Sequence, residues 1–506
     1  MPKDHPQAMN PETPSSGDPK NGQTSGEASR ARDGNSLSPG SEAAEHRNIP
    51  VDTGRLSVVA DICRRAAADL ARQGYKPDGE KVLRRFGLNE ISRYMIPLPA
   101  AELRALLRNT QDLPQGHMAG GQPFFSLEEV NTIRAHLHAA GTVPADRPRA
   151  GQRAAGSANS PQAGQRPVGQ ARIVTVCNFK GGVSKTTTAA HLAMAAALDG
   201  LNVLVVDLDS QASMSALFGV TAEDERQTAY ALMAWDRARA MSRDQPQDST
   251  EPDPWLDLTA DDLIRPTHWP TVDILPAQLN LYWAEFQVPV WLQESPGWAF
   301  WDALKNFLAE ERLLDDYDLV VIDTPPALGY LTINALAAAD IVLVPVGASY
   351  IEFDSTGRFF DMLHTTFASI EETLAGAGGP RFAWDAVQVL LTRYDAAQQA
   401  DMAGVIEAYL GDVVAAERLA FTALVGQAGE RVSGVYEAAP SDFNAQTYRR
   451  GRASFDQAWA GVRALIERCW ADPGNAAPGP LSSRPCPENA GTSHPPSSSR
   501  AIGQET

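Results

Sequence analysis

Lys180-Gly181-Gly182-Val183-Ser184-Lys185-Thr186-Thr187 is the stretch that decides the fold. The apolar run Ile173-Val174-Thr175-Val176 precedes it, and Thr188-Ala189-Ala190-His191-Leu192-Ala193-Met194-Ala195 follows as a segment of helical character. Strand, glycine turn and helix start, in that order, make a phosphate-binding loop. The turn presents backbone N–H groups, and the helix N-terminus adds about half a positive charge. In such a loop Lys185 reaches the β- and γ-phosphates and the Thr186 hydroxyl ligates Mg²⁺. Lys180, ahead of the glycine pair, is the less usual feature. It narrows the reading to one subclass of nucleotide-binding loop.

Two further apolar runs end in carboxylates. Val203-Leu204-Val205-Val206 leads into Asp207-Leu208-Asp209, and Leu319-Val320-Val321-Ile322 leads into Asp323-Thr324-Pro325-Pro326. Open parallel sheets bind ligands at the carboxyl ends of their strands. Asp207, Asp209 and Asp323 are therefore expected at one edge with the loop, where a carboxylate holds Mg²⁺ directly or through water.

The chain has 506 residues, 43% of them apolar, enough for two or three domains and a large core. No apolar run is long enough to span a bilayer, and Met1-Pro2-Lys3-Asp4-His5-Pro6 lacks the apolar core of a signal peptide. Cys63, Cys177, Cys469 and Cys486 show neither metal-ligand nor disulfide spacing, which points to a reducing cytoplasm. The net charge of −19 excludes an overall basic coat but leaves room for a local basic patch.

Residues 1–50 and 471–506 are rich in Pro, Ser and Gly and read as disordered tails; 142–170 reads as a linker. An acidic, Pro-containing stretch at 236–262 reads as a solvated insertion loop. Between 171 and 470, candidate strands at 172–177, 203–207, 272–275, 319–323, 341–346 and 387–392 alternate with helical stretches such as 188–199, 298–313 and 354–371. That alternation predicts an α/β domain, a mostly parallel sheet with helices on both faces.

Residues 51–141 form a separate N-terminal domain in this reading. A short helix follows Lys81-Val82-Leu83-Arg84-Arg85-Phe86, a second begins after Pro99, and a Gly-rich stretch leads to Phe124-Phe125-Ser126-Leu127-Glu128-Glu129. Ser126 and Glu129 have the spacing of a capping box. Helix, turn, helix, Gly-rich hairpin and helix suit a winged helix-turn-helix. Arg84, Arg85, Arg93, Arg104 and Arg108 are then the phosphate-facing candidates. The plainer alternative is a helical dimerisation module without DNA contact.

Four blocks, Asn178–Gly182, Thr186–Ala193, Val206–Gly219 and Asp323–Pro326, closely resemble the ParA family of partition ATPases. Within it the chain is most similar to the RepA-type partition proteins of repABC plasmids. The likeness covers 171–470, weakening after 350, and the block Phe125–Val130 resembles the N-terminal domain of RepA-type proteins. The resemblance implies a slow, Mg²⁺-dependent ATPase with a deviant Walker A loop. Lys180 would cross a dimer interface to the partner's nucleotide, and Lys185 would hold the phosphates within the cradle of Gly181, Gly182, Val183, Ser184, Thr186 and Thr187. Asp209 would position the attacking water. Asp207 would stand behind the metal shell, and Asp323 would reach the metal through water. Thr392 and Arg393 fall where the family contacts adenine.

The resemblance also implies an ATP-dependent homodimer that binds DNA without sequence preference. Arg431, Arg449, Arg450 and Arg452 are the candidates, since Tyr448–Arg452 is the densest basic cluster after 171, and such binding would be strongly salt-dependent. A ParB/RepB-type centromere-binding protein would stimulate hydrolysis. The N-terminal domain would bind operator DNA as an autorepressor, and the protein would be cytoplasmic and nucleoid-associated.

Two departures stand out. Ser184 replaces a frequent Gly, costing about 1 kcal/mol if the position needs φ > 0; Ser210 replaces a frequent Pro. A MinD-like membrane-surface ATPase shares the front lysine, but Pro478-Gly479-Pro480 cannot form the C-terminal amphipathic helix it needs. An iron–sulfur reductase with the same loop lacks its cluster cysteines here.

Overall fold

The computed structural model describes residues 61–63, 65, 81–142, 171–244, 253–375 and 382–471. The tails expected at 1–50 and 471–506 and the linker expected at 142–170 lie outside the described residues, apart from Thr142 and Ala471. The chain divides into a unit of residues 1–64, of which 61–63 are described as helical, and a unit of residues 65–506.

The second unit begins with a small antiparallel sheet, in the order β1 (Phe86–Gly87), β3 (Gln122–Phe125), β2 (His117–Ala119). Helices Leu88–Tyr94, Ala100–Asn109 and Leu127–Ala139 surround it. The hairpin turns at Gly120 and Gly121, both at positive φ as a tight two-residue turn requires. The Ser126 hydroxyl accepts from the Glu129 backbone at 3.3 Å, and the Glu129 carboxylate accepts from the Ser126 backbone at 2.7 Å, so the capping box is complete.

A large sheet follows, built from β4 (Arg172–Val176), β5 (Val203–Asp207), β6 (Arg265–Pro266), β7 (Val272–Leu275), β8 (Leu319–Asp323), β9 (Ile341–Gly347), β10 (Ala386–Tyr394) and β11 (Val414–Ala420). Its order is β11-β10-β9-β4-β8-β5-β7-β6, parallel throughout except for the short edge strand β6. Every residue of β4, β5, β8 and β9 is buried, which is why these strands read as unbroken apolar runs. All six expected strands are present; β11, with Glu417 and Arg418 in it, carried no such signal.

The small N-terminal fold does not stand apart from this sheet. Phe86, Ile91, Leu103, Phe125 and Ile133 share one continuous core with the helix Lys185–Leu198 and the terminal helix Ala445–Ala471. Charged groups tie the junction. The Arg134 side chain is only 6% exposed. It donates to the carbonyls of Leu198 at 2.6 Å and Met95 at 3.0 Å. Lys81 donates to the Leu217 carbonyl, at the end of helix Ser213–Leu217, and pairs with Glu437 at 3.8 Å.

Two local expectations need correction. The stretch 236–262 is mostly folded: helix Ala229–Asp244 buries Trp235 and Ala238, Trp255 packs edge-on against Tyr230, and Leu258 is buried. Only 245–252 lies outside the described residues. The flank looked solvated because Arg237 and Arg239 are interleaved with its core positions, where they lie over Trp291 and Trp235. The helix expected at 298–313 is broken into Phe300–Asp302, Ala303–Glu310 and Leu313–Asp316, with Arg312 at φ 57° between the last two.

Candidate nucleotide site

The loop between β4 and the helix Lys185–Leu198 is pinned at both ends. Asn178 donates from its amide to the Pro345 carbonyl at 2.8 Å and accepts from the Lys180 backbone at 3.0 Å. From the end of β10, the Thr392 hydroxyl donates to the Val183 carbonyl at 3.1 Å and Arg393 to the Gly182 carbonyl at 3.0 Å. Thr392 and Arg393, expected at the base, thus act here as a strap across the back of the loop. Around Gly181 and Gly182 there is open space where a side chain would be. Such glycines let the backbone close on a bound anion.

Ser184 sits at φ 69°, ψ 31°, the left-handed region. Its replacement of glycine therefore carries the strain that the sequence made conditional. Lys185 begins the helix, is 7% exposed, and donates to the Lys180 carbonyl at 3.3 Å. Burial lowers its pKa, against the charges of Asp323 and Asp209, which raise it. The Lys180 ammonium stands 3.7 Å from Glu352, whose carboxylate also accepts from the Gly347 backbone.

The carboxylates divide into two roles. Asp207 and Asp323 are paired across β5 and β8, and burial pushes both pKa values up. Asp207 is fully used by the protein: one oxygen accepts from the Ser215 backbone at 2.8 Å and its hydroxyl at 2.7 Å, the other from the Asp209 backbone at 3.1 Å. It builds the turn that carries Asp209. Asp323 is the opposite case. It is 0% exposed, and neither oxygen completes a hydrogen bond, although the Thr186 hydroxyl and Lys185 ammonium favour its charged form. A buried carboxylate without partners beside a threonine hydroxyl suits a hydrated hard cation. Asp209, half-buried, accepts from the Gln211 backbone at 3.0 Å.

Two of the DNA candidates are corrected by their surroundings. Arg452 is 2% exposed, bonded to Asp456 and Glu90 and lying over Tyr94 and Tyr436. Arg84 is clamped to Glu90 and to the Tyr436 carbonyl at 3.2 Å. Both join the N-terminal fold to the sheet domain; Arg452 is buried there, and Arg84 is half-buried with its guanidinium committed to Glu90. Arg85 pairs with Glu129 at 3.0 Å and Arg431 with Asp442 at 3.3 Å, both near the surface. Arg93, Arg104, Arg108, Arg449 and Arg450 are exposed.

Sequence reasoning missed Asn178, Ser215 and Glu352. Each acts by holding another site residue, and only Asn178, directly after the strand, stood close enough to the motif to be found.

A loop of this geometry at the carboxyl edge of a parallel sheet defines a P-loop NTPase. The chain matches the family described as an AAA domain over residues 171–375. It is 31% identical over 407 residues to a protein assigned as replication protein A in Sinorhizobium fredii, covering 79% of this chain and 90% of that one. It is 31% identical over 226 residues to the sporulation initiation inhibitor protein Soj of Bacillus subtilis, covering 44% of this chain and 74% of Soj. A solved structure described as a partition protein shares the fold, with a TM-score of 0.50 at 19% identity over 82% of this chain and 98% of that one. The chain belongs to the family of these replication A and ParA/Soj-type partition ATPases. It is a P-loop ATPase of that family.

Proposed function

We propose that the chain segregates DNA by an ATP-driven change of partner: ATP joins two copies, the pair holds DNA, and hydrolysis releases it. The observation that carries the reading is Asp323, a buried carboxylate without hydrogen bonds, set against Thr186 and Lys185 in one corner of the loop. Thr186 and Asp323 are the residues that would hold Mg²⁺ here, and the ion would supply neutralisation of the phosphate charge. The chain does the rest by positioning. Lys185 holds the β- and γ-phosphates, and Asp209, fixed by the Asp207–Ser215 turn, orients the water. Lys180 leaves Glu352 and reaches the nucleotide of the second copy. A centromere-binding protein of the ParB/RepB type stimulates the step.

DNA contact falls to the exposed arginines. Arg449 and Arg450 serve binding without sequence preference, and Arg104 and Arg108 on the N-terminal fold serve operator binding and autorepression. Among the described residues no helix is long and apolar enough to cross a membrane.

ATP binding, sedimentation and DNA retention on the full chain test the reading together. Lys185→Ala is expected to abolish ATP binding. Lys180→Ala is expected to keep ATP binding and lose ATP-dependent pairing and DNA retention. Intact retention and hydrolysis in both variants would end the proposal.

A further inference from the structure

The turn that carries Asp209 runs directly into a helix of five residues, Ser213–Leu217. The Ala212 backbone donates to the Asp209 carbonyl at 2.8 Å, and the Ala216 backbone donates to the Ala212 carbonyl at 2.9 Å. A helix this short does not hold its own geometry in water, because nucleation costs more than its few bonds return. Its position is set from outside, at both ends. At the front, Ser215 donates to Asp207 from its backbone and its hydroxyl, and the same hydroxyl accepts from the Ala277 backbone at 2.9 Å.

The back end is held by side chains from far along the chain. Gly219 follows the helix at φ 75°, and the backbones of Phe218, Gly219 and Val220 donate to the carbonyls of Met214, Ala216 and Ser215. The next two carbonyls receive side chains. Lys81, from the N-terminal fold, donates to Leu217, and His268, between β6 and β7, meets Phe218 at 3.0 Å. Glu437 holds both. Its carboxylate bonds His268, pairs with Lys81 at 3.8 Å, and accepts from the Trp269 indole at 2.9 Å, the Ser433 hydroxyl at 3.0 Å and the Gly434 backbone at 2.7 Å. The side chains of Lys81, His268 and Glu437 are 14%, 5% and 9% exposed, so little water competes for them. The Lys81 stem lies against Gly219, where an added Cβ would come within 3.1 Å of it.

We propose that Lys81 is a positioning residue for ATP hydrolysis. It fixes the far end of the helix whose near end sets the Asp207–Asp209 turn, so the N-terminal fold is a working part of the hydrolytic site. Its effect on turnover rests on the role proposed above for Asp209; its hold on the helix does not. Lys81 does not act on the nucleotide itself, since its ammonium is committed to Leu217 and Glu437. Without it, the helix keeps its front hold and loses a charged hold at the back. Asp209 then spends less time where it orients the water, while the loop Lys180–Thr187 that binds the phosphates is untouched.

The test is single-turnover hydrolysis of ATP with Mg²⁺ by the full chain, beside ATP binding and, without nucleotide, hydrogen exchange at residues 213–219. Lys81→Met keeps the apolar stem and removes the ammonium. It is expected to bind ATP within about twofold of the parent and to hydrolyse it about tenfold more slowly, with faster exchange at 213–219. Lys81→Arg is expected to restore most of the rate. Lys81→Gln, which keeps a neutral donor, is expected to fall between the two, and it decides the matter if the methionine variant fails to fold. A methionine variant at the parent rate, a loss of ATP binding in proportion to the loss of rate, or an arginine variant no better than methionine overturns the inference. Asp209→Ala separates the two readings. If it is inactive while Lys81→Met keeps the parent rate, only the role of Lys81 falls. If Asp209→Ala hydrolyses ATP as the parent does, the role given to Asp209 falls, and the route from Lys81 with it.

Discussion

The Arg134 guanidinium donates to the Leu198 carbonyl, 2.6 Å away, at the last residue of the helix that begins with Lys185. A cation from the N-terminal fold thus caps the carboxyl end of the helix whose amino end faces the phosphates. Lys81 does the same at Leu217, closing the short helix that carries Ser215 to Asp207. Both caps place positive charge where the helix dipole is negative.

Removal of the first cap has a defined expectation. Arg134→Met leaves the Leu198 and Met95 carbonyls without their charged donor, and hydrogen bonds to charged groups contribute about 1.5–3 kcal/mol each. Removing the buried charge also removes its desolvation cost, so the variant is expected to lose about 2–3 kcal/mol, less than two full bonds, in urea unfolding, with faster hydrogen exchange at residues 198–201. Unchanged exchange there would show that the cap holds nothing.

Ser184→Gly is expected to act in the other direction. The position is at φ 69°, so glycine relieves left-handed strain of about 1 kcal/mol. A higher melting temperature with unchanged ATP affinity is the expected result. A lower one would mean that the serine hydroxyl contributes more than the strain removes.

Asp323→Asn separates stability from function. The buried carboxylate is costly as a charge and has no hydrogen bonds. The amide is expected to leave the nucleotide-free fold as stable or about 1 kcal/mol more so. Mg²⁺-dependent hydrolysis is expected to fall by at least about a hundredfold. Hydrolysis at the parent rate removes Asp323 from the metal site.

His191 sets a pH dependence. It is 4% exposed and stacked on Phe455 at 4.1 Å, with one ring nitrogen accepting from the Val435 backbone at 2.9 Å and the other meeting the Thr187 carbonyl at 2.6 Å. Both nitrogens are used by the neutral ring, and burial lowers its pKa to about 4. The unfolded chain takes up the proton first, near pH 6.5, so stability falls as pH drops from there towards 4. Between pH 7 and pH 5 the loss is about 2 kcal/mol. Urea midpoints at the two pH values check it, and His191→Gln is expected to flatten the difference.

The nucleotide edge was legible because its signals are local. Lys180 to Thr187 lie within one turn, and Asp207 and Asp323 each end an apolar run that can only be a buried strand. The glycine hairpin and the Ser126–Glu129 cap were legible for the same reason. Arg452 shows where this stops. In sequence it belongs to a basic cluster with Arg449 and Arg450, yet it is buried against Glu90, a partner 362 positions away.

The sequence by itself determined the phosphate loop and the carboxylates that end its neighbouring strands, since each depends on neighbours a few residues apart; it left the strain at Ser184 conditional, and the backbone φ of 69° settled it. Only the tertiary structure decided which arginines face outward, that Asp207 is satisfied while Asp323 is not, and that Lys180 rests on Glu352. These are set by contacts between distant segments, and a chain's pattern of charge and hydropathy does not encode which partner a side chain meets once the core closes.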